Sequence, residues 1–347
     1  MPVTREPRRV RLLADLPVAL GRRAYAVGAA LVVAVGIALA TTHAGRGTLD
    51  RAVVSLARAQ PGWLCAAAAA FAAGLLCSAA AWRTGLRACG GTAGYAETSA
   101  RYAVGSLVNT LAPAHVGGAL RLALFAQTLP KGDRAWRVAG VGAAIAAART
   151  ASLAVLVVAA AGWGGIPWWP APTLAVIAGG AIVFCAKGSR RARGRLGRAL
   201  EVFRVLRGCP RKAALLAGWI VASFAARVVA AAAIVVALGI PRPVWAAIVL
   251  LGAIALAGIV PVTPGNFGAG AGAATLALHG TGVGLGPSLA TGVAFQAVES
   301  FAGVVLGLAG VAVLAPPSQA RRWALAGAGA AAVLVATVLG VVSADLV

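Results

Sequence analysis

Four ionisable side chains of this sequence lie deep inside long apolar runs: Arg121, Arg149, Arg227 and Glu299. A charge at the centre of a hydrocarbon layer costs about 3 kcal/mol even on insertion scales, so each of them is a functional candidate. Arg149 stands twelve residues into its run and Arg227 fifteen into its own, too far from either end for a long side chain to reach water easily. The guanidinium fork matches the oxygens of a phosphate, so three deep arginines suit an anionic group such as a lipid phosphate. Arg149 or Arg227 can instead serve as the ion-pair partner of Glu299, and even then positive charge remains in excess. Asn109, His115, Asn266 and Gln296 add polar groups to the same runs.

Two of the runs are interrupted at their middles by proline and glycine, at Leu111–Gly118 (LAPAHVGG) and Val260–Gly268 (VPVTPGNFG). Unwound backbone at membrane depth must be satisfied by protein, substrate or water, and two such breaks at corresponding places point to a transport site. Arg121 follows the first break, where the amides of the next helix's first turn would also face an anion; an arginine snorkelling from a short helix is the plainer reading. Gly265, Asn266 and Gly268 at the second break read equally as turn chemistry, glycine for positive φ and asparagine for capping. His115 is either a proton or head-group ligand or a hydrogen-bonding turn residue, while His43 and His279 look peripheral.

Other chemistry is not visible. Gly268, Gly270 and Gly272 lack GxGxxG spacing and follow no strand, so they suit close helix packing rather than nucleotide binding. Paired carboxylates, HExxH, a DxD-like metal site and a Walker sequence are all missing, which predicts neither an enzyme nor a cofactor. Cys65, Cys77, Cys89, Cys185 and Cys209 show no metal-ligand spacing and predict no disulfide framework or zinc site.

The elements that must hold these residues are membrane helices. Hydrophobic residues make up 61% of 347 positions, charged residues 11%, and the mean hydropathy is +0.89, values expected of an all-α polytopic membrane protein. The net charge of +23 sits in short segments between apolar runs, which argues for positive-inside loops and against nucleic acid as a partner. Lysine occurs three times among 31 basic residues, an arginine bias that fits a GC-rich bacterial genome. Runs long enough to cross span 24–42, 62–82, 138–163, 170–187, 213–238, 286–314 and 323–345, seven crossings in all. The stretches 99–129 and 244–280, broken at their centres, each predict a pair of short helices.

Loop charge sets the direction. Arg5 to Arg23 place the N-terminus in the cytoplasm and make 24–42 a retained extra first helix, since no small-residue cleavage site follows it. Arg83 and Arg87, then Lys131 to Arg137, put both ends of the first broken pair inside. The Trp-rich, uncharged stretch from Gly162 to Pro172 reads as an outer turn, and 188–212 as a basic cytoplasmic loop. The second broken pair then begins and ends outside, and Arg321 and Arg322 lie inside, leaving the C-terminus outside. The segment 43–60, with Arg46, Arg51 and Arg58, runs against the rule and is read as an outer amphipathic segment. The result is one membrane domain with an inverted-topology repeat, 62–187 against 213–345.

The series Asn109, Pro113, Gly117, Arg121, together with PVTPGNFG at Pro261–Gly268 and with Arg149, resembles a known family. The chain looks like the transmembrane, flippase-like domain of lysylphosphatidylglycerol synthases, found also as stand-alone bacterial membrane proteins of unassigned function. The likeness covers roughly 60–315, and the second motif is the more specific. Matched positions are Asn109, Pro113, Gly117, Arg121, Arg149, Pro261, Pro264, Gly265 and Gly268. In that family the first break carries Gly-Glu before the arginine and the second ends in glutamate; here Gly118 and Ala271 stand in their places. Glu299 and Gln296, in the run FQAVES, are where an acid would be relocated.

The resemblance implies movement of an anionic phospholipid or polyprenyl-linked amphiphile between the leaflets of the bacterial cytoplasmic membrane. It does not imply lysyl transfer, for which these residues hold no soluble synthase domain. The competing expectations are an ion-coupled carrier of a small solute, with Glu299 carrying the proton, and a non-catalytic accessory subunit working beside a lipid-modifying synthase or glycosyltransferase.

Overall fold

The computed structural model describes residues 43–111, 116–130, 133–162, 200–258 and 268–314, with 172, 176, 179 and 180 singly. The expected crossings 24–42, 170–187 and 323–345, the Trp-rich turn and most of the basic loop lie outside these residues. So do Pro113, His115, Pro264, Gly265 and Asn266. Among the described residues the chain forms ten helices and no strand. They are α1 His43–Ala57, α2 Pro61–Ala88, α3 Tyr95–Leu111, α4 Val116–Ala126, α5 Arg134–Gly162, α6 Glu201–Gly208, α7 Pro210–Ala237, α8 Pro243–Ala257, α9 Ala269–Gly280 and α10 Leu285–Leu314. The all-helical class expected of the sequence is what the chain adopts.

Four of these, α2, α5, α7 and α10, are long and apolar enough to cross a membrane. At 28 to 30 residues and 1.5 Å per residue each is about 42–45 Å long, more than a hydrocarbon core of about 30 Å. The extra length explains why α2 runs past the expected end at 82 and includes Arg83 and Arg87: the helix continues into the interface until Gly90, at φ 86, ends it. Both stretches expected to be broken are helix pairs, α3 with α4 and α8 with α9.

The two ends of α3 and α4 are tied by Arg101. Its guanidinium donates to the Leu124 carbonyl, in the unpaired last turn of α4, and reaches Gln127 Oε1 at 3.3 Å and Glu97 Oε1 at 2.6 Å. This is how a helix C-terminus, whose last four carbonyls lack partners, is satisfied in an apolar setting. Further along, the two helices touch at glycine: a Cβ on Gly117 would lie 2.4 Å from the Gly105 carbonyl oxygen and 2.6 Å from Asn109 Cβ.

At the centre α2 packs along α7. Buried residues of α2 recur at Ala67, Phe71, Gly74, Ser78, Ala81 and Gly85, and those of α7 at Leu216, Ile220, Ser223, Ala230, Ile234 and Ala237. The alternating four- and three-residue steps describe a heptad seam, and Arg227 falls on the α7 seam between Ser223 and Ala230. Alternating steps also lead from Ser288, Gly292 and Phe295 to Glu299 on α10, and steps of three and four lead from Val138, Val141 and Ile145 to Arg149 on α5. Three charges therefore occupy positions where the helix periodicity calls for core residues. Gly303, Gly307 and Gly310 of α10 give α3 a close antiparallel seat, against Thr110, Leu107 and Ala100 in turn.

Loop contacts sort into two groups. The Gln60 amide donates to the Ala237 carbonyl at 3.0 Å, and Arg51 of α1 covers Gly286, which joins the start of α2, the end of α7, α1 and the start of α10. Arg137 pairs with Glu201 at 3.7 Å and reaches the Cys89 carbonyl, which joins the end of α2, the start of α5 and α6. The second half of the 188–212 loop is helical. Val202 and Leu206, one turn apart, are buried with Val138 and Leu216, so this stretch forms the helix α6 and the first residues of α7.

Candidate functional site

A cavity of about 460 Å³ lies between α2, α3, α4, α5, α7, α8 and α10. Arg121, Arg149, Arg227 and Glu299 all line it, as do Asn109 and Gln296. Six of the thirteen residues singled out in the sequence thus meet at one place. Gly117 lies outside the lining and acts through packing, closing α3 onto α4. Gly268 is the residue before α9, at φ 83, where a side chain would be strained. It too is absent from the lining.

Arg149 joins a chain of hydrogen bonds. Its Nη2 donates to Ser78 Oγ at 3.0 Å and to Tyr102 Oη at 2.9 Å. Ser223 Oγ donates to the Gly74 carbonyl at 2.8 Å, so the 2.8 Å contact between Ser78 and Ser223 has Ser78 as donor. The direction of the chain is therefore fixed, from guanidinium through two hydroxyls to a backbone carbonyl. It exists because Gly74 brings α2 and α7 close: a Cβ there would stand 3.3 Å from the Ser223 carbonyl oxygen.

Arg121 approaches the same tyrosine from another direction. Its guanidinium carbon lies 4.1 Å above the Tyr102 ring, and Nη2 donates to Ser106 Oγ at 3.0 Å. Cation–π contact of this kind is favourable, and more so where water is excluded. Gly105 makes room for the stem: a Cβ on it would be 2.8 Å from Arg121 Cβ. The Nε of Arg121 is buried with no hydrogen-bond partner.

Arg227 differs, because it is ion-paired with Glu299 across α7 and α10. The sequence left open which arginine would meet that acid; the structure assigns it to Arg227. Among the described lining residues Glu299 is the one carboxylate against three guanidinium groups, so two positive charges stand uncompensated. Excess buried positive charge is what a site for an anion requires.

The two broken pairs contribute differently. From α3 and α4 the cavity takes Tyr102, Ser106, Asn109, Thr110 and Arg121, and from the described part of α8 and its end Leu251, Ile254, Ala255 and Gly258. Each break thus begins at the cavity, at Thr110 on one side and Gly258 on the other. These are helix C-termini, so the expectation that amides of a helix first turn would face an anion here is not what the described residues provide. The cationic lining comes from side chains. Leu153 and Leu156 of α5 and Phe71 of α2 extend the apolar lining.

Ser78, Tyr102, Ser106 and Ser223 were not singled out from the sequence. A signal existed: Ser78 and Ser223 interrupt alanine-rich seams one heptad position from a glycine or an arginine. Gly118 and Ala271, at the positions where the resemblance led acids to be expected, lie apart from the cavity lining. A Cβ on Gly118 would meet open space, whereas Ala271 is buried against Gly292.

Compared with known proteins, residues 25–307 match the model of the family described as Lysylphosphatidylglycerol synthase TM region. No curated protein matches the chain.

Proposed function

The chain belongs to the lysylphosphatidylglycerol synthase transmembrane family, and from that premise we propose that it is a flippase-like protein which passes an anionic amphiphile between membrane leaflets. The cargo is an anionic phospholipid or a polyprenyl-linked phosphate, the membrane is the bacterial cytoplasmic membrane, and the N-terminus faces the cytoplasm. One observation carries the reading: three guanidinium groups from three helices share one cavity with one carboxylate, at the level where α3 and α8 both break. A small solute would not need the rest of the cavity's character. Its lining joins polar residues, Tyr102, Ser106 and Asn109, to apolar ones, Leu251, Ile254, Leu153 and Leu156, as a head group joined to hydrocarbon requires.

An inverted repeat fits the same packing. Exchanging α2 with α7, α3 with α8 and α5 with α10 turns the contact of α3 on α10 into that of α8 on α5, and the contact of α2 on α3 into that of α7 on α8; all four contacts are present. Such pseudo-two-fold exchange is the usual frame for alternating access around a midplane site. The proton-carrier reading of Glu299 is less favoured, since its carboxylate is engaged by Arg227. We also place no catalytic step in this domain; any lipid-modifying synthase or glycosyltransferase would be its partner.

The test is leaflet translocation in reconstituted vesicles. Fluorescent phosphatidylglycerol should cross faster in the presence of the protein than in empty vesicles, and phosphatidylcholine should not. Equal acceleration of both lipids, or of neither, would remove the proposal.

A further inference from the structure

Resting on the flippase reading above, we infer that the cavity prefers a phosphomonoester head group, a dianion, to the phosphodiester monoanion of ordinary phospholipids. The charges of the lining are Arg121, Arg149, Arg227 and Glu299, with Tyr102 as the other titratable group among its described residues. Glu299 is spent on Arg227. What remains is a pair of guanidinium groups converging on one tyrosine, Arg121 over its ring and Arg149 on its hydroxyl. Every hydrogen-bond partner of that pair among the described residues is a hydroxyl: Ser106, Ser78 and Tyr102.

Among the described residues each of these arginines bonds to the protein through Nη2 alone, which leaves Nη1 of both for a ligand. A phosphomonoester brings about −1.5 to −2 charges at neutral pH and three acceptor oxygens. A diester brings one charge, one short of neutralising the pair, and two free oxygens against the monoester's three. The dianion is therefore the better complement on both counts, charge and donor geometry.

The source of the phosphate is decided by experiment. Full-length protein in phosphatidylcholine nanodiscs is titrated with phosphatidate, with phosphatidylglycerol, and with soluble glycerol 3-phosphate as competitor. At about pH 8 phosphatidate should bind at least about tenfold more tightly than phosphatidylglycerol. Near pH 5, below the second phosphate pKa of about 6, the monoester is singly charged and its advantage should shrink to within about twofold. A Tyr102→Phe variant should still lose the preference on going from about pH 8 to about pH 5, which separates the ligand's proton from that of the tyrosine. Arg121→Gln should lower phosphatidate affinity to that of phosphatidylglycerol, and Arg121→Lys should keep part of the preference.

Equal affinity for the two lipids at high pH, or a preference unchanged at low pH, would overturn this inference and leave the flippase reading standing. If neither lipid binds more tightly than phosphatidylcholine, both fall. Glycerol 3-phosphate competing as well as phosphatidate at equal concentration would support the dianion site while overturning its assignment to a lipid.

Discussion

The two broken helix pairs treat the cavity in opposite ways. The first, α3 with α4, is drawn shut at Gly105 and Gly117 and presents Tyr102, Ser106, Asn109 and Arg121. The second, through the described part of α8, presents Leu251, Ile254 and Ala255. On the repeat proposed above, the two halves have divided the work: one supplies polar and cationic side chains, the other apolar ones. Two helix pairs that are both broken therefore need not carry the same charge. The deepest uncompensated arginines, Arg121 and Arg149, both gather in the first half, while the arginine of the second half is neutralised by Glu299.

The comparison breaks most visibly at the glycines. Gly117→Ala would place a Cβ 2.4 Å from a backbone oxygen and should destabilise the protein by about 1–3 kcal/mol, as overpacking does. Gly272→Ala in the second pair meets nothing within 4 Å and should be neutral or stabilising by up to about 1 kcal/mol, the helix-propensity gain. Thermal melting in detergent reports both, and equal shifts would show that the first pair is not specially closed.

A smaller effect on stability and a large one on activity are expected from the charges. Arg149→Gln should reduce translocation of anionic lipid by about tenfold or more, the cost of one charge-assisted hydrogen bond of about 1.5–3 kcal/mol, while Leu251→Ala in the apolar lining should leave head-group selectivity unchanged. Translocation assays on both variants would sharpen the division between polar and apolar lining; a selectivity change in Leu251→Ala alone would reverse it.

The Arg227–Glu299 pair, with side chains 37% and 31% exposed, should show a coupling of about 1 kcal/mol or less in a double-mutant cycle with Arg227→Gln and Glu299→Gln. Glu299→Gln should also strengthen anion binding, because it frees a third guanidinium. Ser223→Ala should cost about 1 kcal/mol of stability, from removing the hydroxyl that passes the Ser78 bond on to the Gly74 carbonyl.

Much of this was legible in the sequence because membrane helices announce themselves by length, apolarity and interruption. The two interruptions read from the sequence fall between α3 and α4 and between α8 and α9. Arg149, Arg227 and Glu299 could be singled out because each charge interrupts an apolar run. What stayed hidden was which arginine would meet the acid, since α7 and α10 come together only through tertiary packing. Tyr102 was hidden for a related reason. It stands in a stretch, Glu97 to Thr110, whose polar residues make every position look plausible, and its role emerges only when α4 and α5 bring two guanidinium groups to it. The helix α6 was masked by its own charge, because the arginines around Val202 and Leu206 made a structured segment read as loop.

The central claim is that Arg121 and Arg149 together hold an anionic lipid head group, and native mass spectrometry of the protein purified in a mild detergent tests it most directly. The account predicts that the wild-type chain retains a phosphate-bearing anionic lipid and that the folded Arg121→Gln/Arg149→Gln variant loses it. Retention of neutral lipid alone, or equal retention of the anionic lipid by the variant, would contradict it.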